Sequence, residues 1–230
     1  MAKGRRPVRY NIAQACEELQ AADPVLGRLI ERVGPFTLTL ASQHSPFEAL
    51  VESIVYQQIH GKAAAAILNR LKLHYGDVHP QPEQLIATPD DILRAAGLSA
   101  NKQKALRDLA AKTLDGIIPT LAQIRRMKDE EIIRRLIEVR GIGQWTAEML
   151  LIFRLGRPDV MPVSDYGIRK GFALTFLRLP KGKKVEASDL PKPEVILKRS
   201  KRWKPWSSVA AWYLWRACDL ASGKPPAGRA

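Results

Sequence analysis

A glycine turn between two predicted helices is the first feature of the sequence that could do chemistry. One helix is predicted to end near Val139 and a second to begin at about Gln144, with Gly141-Ile142-Gly143 between them. Each glycine can adopt a positive φ angle and lets another backbone segment approach closely, so Ile142 can pack between the helices. The unpaired amides of the second helix suit a phosphate. A purely structural helical hairpin would share this pattern. A hairpin that binds the DNA backbone without contacting the bases would also fit it.

Asp165, 22 residues after Gly143, is the second such feature. Asp165 lies in Pro162–Arg169, and it stands at the start of another predicted helix. Taken alone, an aspartate in this place is a helix N-cap. A helix N-terminus also favours the ionised form of such a carboxylate.

Helices must position these groups, because helix start signals recur along the chain. The signals are Asp23-Pro24, the capping box Ser45-Pro46-Phe47-Glu48, Thr88-Pro89, Ser99 before a helix over 100–114, and Asp129 before a helix that runs to about Glu138. Strand signals are weak. Apolar and polar residues alternate over Phe36–Leu40, which predicts either an extended connector or the remnant of a small sheet. We therefore expect a mainly or wholly α-helical protein.

The charge of the chain predicts a polyanionic partner. Lys and Arg number 37 against 23 Asp and Glu, which gives a formal net charge of +14. Solubility alone needs a magnitude of only ~2–8 in a small domain. Nucleic acid is favoured over an anionic membrane, because no basic amphipathic helix with an aromatic-rich apolar face lies near a terminus.

Other classes of protein are disfavoured by what the sequence lacks. No apolar run approaches the ~20 residues of a membrane helix, and no signal peptide is recognisable, so we expect a cytoplasmic protein, or a nuclear one in a eukaryote. Cys16 and Cys218 cannot form a four-cysteine metal or iron–sulfur cluster. The four histidines have no spacing typical of metal ligands, so no catalytic metal is expected.

The turn and the aspartate together resemble the helix-hairpin-helix DNA glycosylase superfamily. Its signature is matched by Leu136, Gly141, Ile142, Gly143, Thr146 and Ala147, then by a loop over 156–162 and by Asp165. Within the superfamily, residues 55–59, 97–106 and 202–215 are similar to the alkylpurine branch, the 3-methyladenine DNA glycosylase II group, in its compact form without an N-terminal β domain. The resemblance implies an all-α fold of two helical lobes with a cleft between them. The predicted lobes are 1–44 with 156–230, and 45–155, which contains the hairpin 136–149.

The resemblance also implies a reaction. Asp165 would stabilise the oxocarbenium-like sugar as water hydrolyses the N-glycosidic bond of a damaged base in double-stranded DNA. Trp145 stands where bifunctional members carry a nucleophilic lysine, so we expect a monofunctional enzyme that leaves an abasic site. Its substrates would be 3-methyladenine and also 7-methylguanine.

Further site residues follow from the same resemblance. Ile59 would fill the gap left by the flipped base, with Gln58 beside it. Trp145, Trp215, Tyr56 and Met149 would line the base pocket, since aromatic faces attract a cationic purine. Gly141, Ile142, Gly143 and Thr146 would bind the DNA backbone. The carbonyls of Ile137, Val139 and Gly141 would hold a monovalent ion, Na⁺ or K⁺, with no other cofactor. We interpret Trp203, Trp206 and Trp212 as core residues.

We expect the protein to be a monomer. Two other functions stay open at this point. A non-catalytic hairpin module that binds DNA would show the same charge and the same glycine turn. A glycosylase for another lesion, such as uracil, hypoxanthine or an oxidised purine, would keep the catalytic residue as well. Base release from methylated DNA, without strand nicking, separates these possibilities.

Overall fold

A computed structural model describes residues 6–41, 45–177 and 185–223 of the chain. The helices are α1 (Ile12–Ala22), α2 (Pro24–Val33), α3 (Pro46–Tyr56), α4 (Gly61–His74), α5 (Pro82–Ala87), α6 (Asp90–Ala95), α7 (Ala100–Leu114), α8 (Leu121–Ile124), α9 (Asp129–Leu136), α10 (Gln144–Leu150), α11 (Tyr166–Phe176), α12 (Pro193–Ser200) and α13 (Ser207–Ala221). A π-helical turn, Leu151–Leu155, follows α10, and short 3₁₀ turns cover Ala187–Asp189 and Lys201–Trp203. Within these described ranges, no helix has the length and apolar character needed to cross a membrane.

The chain divides into two compact units, each described here by itself. One consists of Met1–Ser42 and Leu151–Ala230, and the other of Gln43–Leu150. The boundaries predicted from the sequence, after residues 44 and 155, fall slightly later in the chain.

The first unit packs α1, α2, α11 and α13 around a core that includes Leu26, Phe172 and Trp203. Helices α11 and α13 approach very closely, because a β-carbon on Gly171 would lie 2.0 Å from the carbonyl oxygen of Leu214. The strand signal near residue 40 is the remnant of a sheet: β1 (Arg6–Pro7) pairs antiparallel with β2 (Thr39–Leu40).

The second unit contains α3 to α10. Helix α3 begins with the predicted capping box, in which the Glu48 amide donates to Ser45 Oγ at 3.1 Å and the Ser45 amide donates to Glu48 Oε2 at 2.8 Å. Helix α7 packs against α3 and α5, and it contributes Leu106 and Leu109 to the buried interior. Its predicted N-cap is confirmed, since Ser99 Oγ accepts from the Lys102 amide.

The helix before the glycine turn is shorter than predicted. Lys128 is the N-cap of α9, so Asp129 is its first residue, where a negative charge suits the helix dipole. The helix ends at Leu136 and not near Val139. The Val139 amide instead donates to the Leu136 carbonyl at 3.1 Å, a three-residue spacing that tightens the chain before the turn.

Candidate active site

Asp165 is the N-cap of α11, and it is half-buried in the first unit. Its Oδ1 accepts a hydrogen bond of 2.8 Å from the backbone amide of Ile168, as capping requires. The same oxygen accepts a second bond of 2.8 Å from the indole Nε1 of Trp215 on α13. Two N–H groups from different helices therefore fix the orientation of this carboxylate.

Trp215 is held in place from two sides. Its ring packs against Phe153 of the π-helical turn, with 5.5 Å between ring centroids. On the side of α11, a β-carbon on Gly167 would lie 2.7 Å from Trp215 Cδ1 and 3.1 Å from Asp165 Oδ1. Glycine at position 167 thus leaves room for the indole beside the carboxylate. The structure brings Asp165 and Trp215 together, with the tryptophan acting as a hydrogen-bond donor.

The glycine turn, which lies in the second unit, uses its two glycines differently. Gly141 has φ of +80°, a conformation that side chains disfavour, whereas Gly143 has no such angle. Of the two glycines, only Gly141 uses the positive φ that glycine allows. Both glycines are exposed, and Ile142 is buried at 4% exposure, as predicted for the residue between them.

Helix α10 carries three further predicted site residues, which differ in their exposure to solvent. Trp145 is 48% exposed, and Met149 is half-buried. Thr146 is only 8% exposed, so its side chain belongs to the protein interior. A contact of Thr146 with DNA would therefore have to use its backbone amide.

The predicted wedge lies on a strained turn. Residues 57–60, called the wedge turn below, connect α3 to α4. Gln58 has φ of +56°, which costs a non-glycine residue energy and is common at functional sites. Ile59 is 37% exposed and Tyr56, the last residue of α3, is 43% exposed. The turn thus presents apolar surface to solvent instead of burying it.

The glycine turn and the wedge turn are in contact. The Gln57 side chain donates from Nε2 to the carbonyl oxygen of Gly141 at 2.9 Å. The sequence alone does not indicate this role for Gln57, nor does it place Gly167 or Phe153 beside Asp165. An adjacent pair of glutamines ahead of an exposed isoleucine is a weak signal, and partners 84 residues apart cannot be paired from one sequence.

Two of the three carbonyls predicted to hold a monovalent ion, those of Val139 and Gly141, accept hydrogen bonds. The Ile142 amide donates to Val139 at 3.0 Å, and Gln57 donates to Gly141. A carbonyl oxygen has two lone pairs, so each of the two retains the capacity for an ion. Within the ranges that the structure describes, no group of three His, Cys, Asp or Glu side chains could hold a metal ion.

The exposed glycine turn thus lies in the second unit, and the N-cap aspartate that accepts from a tryptophan indole lies in the first. The chain belongs to the HhH-GPD superfamily of base excision DNA repair proteins, whose sequence model matches residues 51–193.

Relatives from two organisms are similar to nearly the whole chain. DNA-3-methyladenine glycosylase 1 of Schizosaccharomyces pombe is 38% identical over 218 residues, which cover 94% of this chain and 92% of the relative. The structure of the 3-methyladenine DNA glycosylase of the same yeast with abasic DNA has a TM-score of 0.75, and the match covers 90% of this chain and 98% of that one. The DNA-3-methyladenine glycosidase of Bacillus halodurans is 31% identical, with a TM-score of 0.81 over 95% of this chain and 96% of that one.

Proposed function

We propose that this protein is a monofunctional DNA glycosylase that removes alkylated purines from double-stranded DNA and leaves abasic sites. The observation that carries the proposal is the half-buried Asp165, whose Oδ1 is oriented by the Ile168 amide and the Trp215 indole. The similarity to relatives named as 3-methyladenine glycosylases supports the choice of substrate.

In the proposed reaction, the bond between the sugar C1′ and the purine nitrogen breaks. The electron pair leaves with the purine, which alkylation had made cationic and which therefore departs neutral. Positive charge develops on the sugar, and the Asp165 carboxylate stabilises it electrostatically. A water molecule, oriented by the same carboxylate, then bonds to C1′ through its oxygen and transfers a proton to Asp165, which releases that proton to solvent. The product is an abasic sugar and a free base.

The target base must first leave the stack, since its glycosidic bond is out of reach inside a duplex. We assign the gap-filling role to Ile59, with Gln58 beside it, because the wedge turn presents an exposed apolar side chain on a strained backbone. For the flipped base we assign Trp145, Tyr56 and Met149 of the second unit, and Trp215 of the first, as residues that contact the base. The aromatic faces among them would attract a cationic purine by about 0.5–2 kcal/mol.

The hairpin would hold the DNA backbone through the exposed Gly141 and Gly143, with Ile142 and Thr146 supporting the turn from inside. A monovalent cation on the carbonyls of Ile137, Val139 and Gly141 would add positive charge toward a phosphate. The net charge of +14 supports binding to a polyanion. We expect log Kd to vary with log salt by about 0.9 for each phosphate contacted.

The absence of strand cleavage is part of the proposal. Trp145 occupies the position two residues after Gly143, where a lysine amine would be needed to attack the sugar. An indole has no such nucleophile, so the abasic product should stay intact. We further propose that the protein acts as a monomer in the compartment that holds the DNA: the cytoplasm of a bacterium, at the nucleoid, or the nucleus of a eukaryote.

A panel of duplexes tests the function. Each duplex carries one modified base: an alkylated purine, uracil, hypoxanthine or an oxidised purine. Free base is measured by chromatography, and strands are analysed with and without hot alkali. We expect release of the alkylated purine, with breaks only after alkali. Release confined to uracil or hypoxanthine would indicate a different lesion specificity, and binding without any release would indicate a DNA-binding hairpin protein.

A further inference from the structure

Helix α7 carries a set of contacts that the proposed reaction leaves unexplained. Lys102, Ala105, Asp108 and Lys112 follow one another at steps of three, three and four residues, so they share one face of the helix. We call these four residues the α7 bracket. Residues 97–106, which are similar to the alkylpurine branch, have no role in the proposed reaction.

The N-terminal part of the bracket contacts the end of α3. Lys102 donates from Nζ to the Val55 carbonyl at 2.6 Å, one residue before the last residue of α3. Carbonyls in the last turn of a helix lack partners within the helix, and an ammonium group there also suits the helix dipole. Burial lowers the pKa of Lys102. This contact fixes the point from which the wedge turn departs.

The C-terminal part of the bracket contacts the glycine turn. Asp108 Oδ2 accepts from the Arg140 backbone amide at 2.7 Å and from Lys112 Nζ at 2.8 Å. Lys112 Nζ also donates to the Glu138 carbonyl. Between these anchors, a β-carbon on Gly141 would lie 3.7 Å from Ala105 Cβ, so the turn rests directly on the helix.

The bracket therefore holds both segments that the proposed function assigns to DNA. Burial raises the pKa of Asp108, but the hydrogen bonds from Arg140 and Lys112 outweigh it and hold the pKa below its usual value. A charged pair placed against a backbone amide and a carbonyl is costly to disturb, since either partner alone would leave a half-buried charge unpaired.

We propose that the α7 bracket is a positioning element for base flipping: it sets the wedge turn at a fixed distance from the hairpin. The inference rests on the proposed function. Ile59 can enter the base stack only when the hairpin holds the phosphates of the same duplex. The wedge turn and the glycine turn must therefore move together. The direct bond from Gln57 to Gly141 joins the same two turns. Asp108 and Lys112 act through the hairpin and touch no substrate.

The experiment compares Asp108→Ala and Lys112→Met with two matched controls, one at the C-cap of α7 and one within the helix. Asp115→Ala and Lys104→Met remove the same charges from exposed positions. Affinity is measured on a duplex with a stable abasic-site analogue, and flipping is followed by the fluorescence of 2-aminopurine beside the target. We expect Asp108→Ala to weaken binding about tenfold and Lys112→Met several-fold, as for lost hydrogen bonds to charged groups. Asp108→Asn, which keeps an acceptor for the Arg140 amide, should recover part of the loss.

A second substrate separates positioning from general damage to the fold. Extrusion costs less when the target base is mispaired. The deficit of each bracket variant in base release should therefore shrink on a mismatched target. An equal deficit on paired and mismatched targets, or affinities that match those of the two controls, would overturn the inference. If Asp108→Ala does not fold, the affinities and release rates of Lys112→Met and Asp108→Asn test the inference. Failure of the wild type to release any alkylated base would overturn the proposed function instead, while the affinities would still test the bracket.

Discussion

Two aspartates in the first unit have similar hydrogen-bond partners but different roles: one stabilises the fold, and the other is the proposed catalytic residue. Asp23 and Asp165 are both helix N-caps, of α2 and α11, and both accept a hydrogen bond from a tryptophan indole. The indole of Trp203 reaches Asp23 at 3.0 Å, and that of Trp215 reaches Asp165 at 2.8 Å. The two sites differ in exposure, since Asp23 is completely buried and Asp165 is half-buried.

The buried site also contains a guanidinium group. Arg199 donates to Asp23 from Nε at 2.7 Å and from Nη2 at 2.8 Å, a two-bond geometry that is strong and specific. Burial raises the pKa of Asp23, but the bonds from Arg199 and Trp203 outweigh it and lower the pKa overall. A carboxylate enclosed in this way stabilises the fold. The comparison teaches that a cap and an indole make an oriented carboxylate, and that access to solvent decides whether it can serve a reaction.

Asp23→Ala should have the largest effect on stability. It removes the cap of α2 and leaves Arg199 without its carboxylate, so we expect a loss of about 3–5 kcal/mol in the free energy of unfolding. Urea denaturation measures the loss, and the rate of base release per folded molecule should stay unchanged. A loss below about 1 kcal/mol would show that the pair is worth no more than a surface ion pair.

The pKa of Asp23 adds a test by pH. Because the pKa is lower in the folded state, the carboxylate contributes stability above its unfolded value, about 3.9. That contribution is lost as the pH falls from there through the folded pKa. In Asp23→Asn, the fall of the unfolding free energy over this acidic range should be shallower than in the wild type. Identical slopes would contradict the assignment.

Asp165→Asn should strongly reduce activity while changing stability little. Asparagine caps helices as well as aspartate does, and its oxygen can still accept from Ile168 and Trp215, so stability should change by less than about 1 kcal/mol. Loss of the negative charge should lower the single-turnover rate of base release about 100- to 1,000-fold. Affinity for abasic DNA should remain near that of the wild type. Base release at a near-normal rate would refute the assignment of Asp165.

The comparison also shows what a single sequence can and cannot predict. Asp165 and the glycine turn were predictable, because caps and tight turns depend on neighbouring residues. Trp203 was correctly interpreted as core. Trp215 was expected to stack on a base, and its bond to Asp165 was not foreseen, because the two residues are 50 positions apart and meet only when α11 and α13 pack. Local patterns identify the catalytic candidate, whereas its orientation depends on packing between distant helices.

Trp215→Phe should sharpen the difference between the two tryptophans. Phenylalanine retains an aromatic ring for Phe153 but removes the N–H that orients Asp165. We expect the single-turnover rate to fall about tenfold, as for the loss of one hydrogen bond to a charged group, with little change in melting temperature. Trp203→Phe should instead lower the melting temperature and leave the rate intact. If both variants affect only stability, the indole of Trp215 has no part in orienting the carboxylate.

Gly167→Ala should have the smallest effect and isolates alignment from chemistry, because it leaves both functional groups present. The added β-carbon would stand 2.7 Å from Trp215 Cδ1 and 3.0 Å from Nε1, so the indole must shift away from Asp165. We expect the single-turnover rate to fall about fivefold, which corresponds to about 1 kcal/mol of lost alignment. Gly27→Ala is the matched control in the same unit, since its β-carbon would meet Gln20 no closer than 3.4 Å, an ordinary contact. Combining Gly167→Ala with Trp215→Phe decides the origin of the effect: if glycine acts by making room for the indole N–H, the double variant should be no slower than Trp215→Phe alone, whereas additive losses would mean that position 167 acts on Asp165 directly.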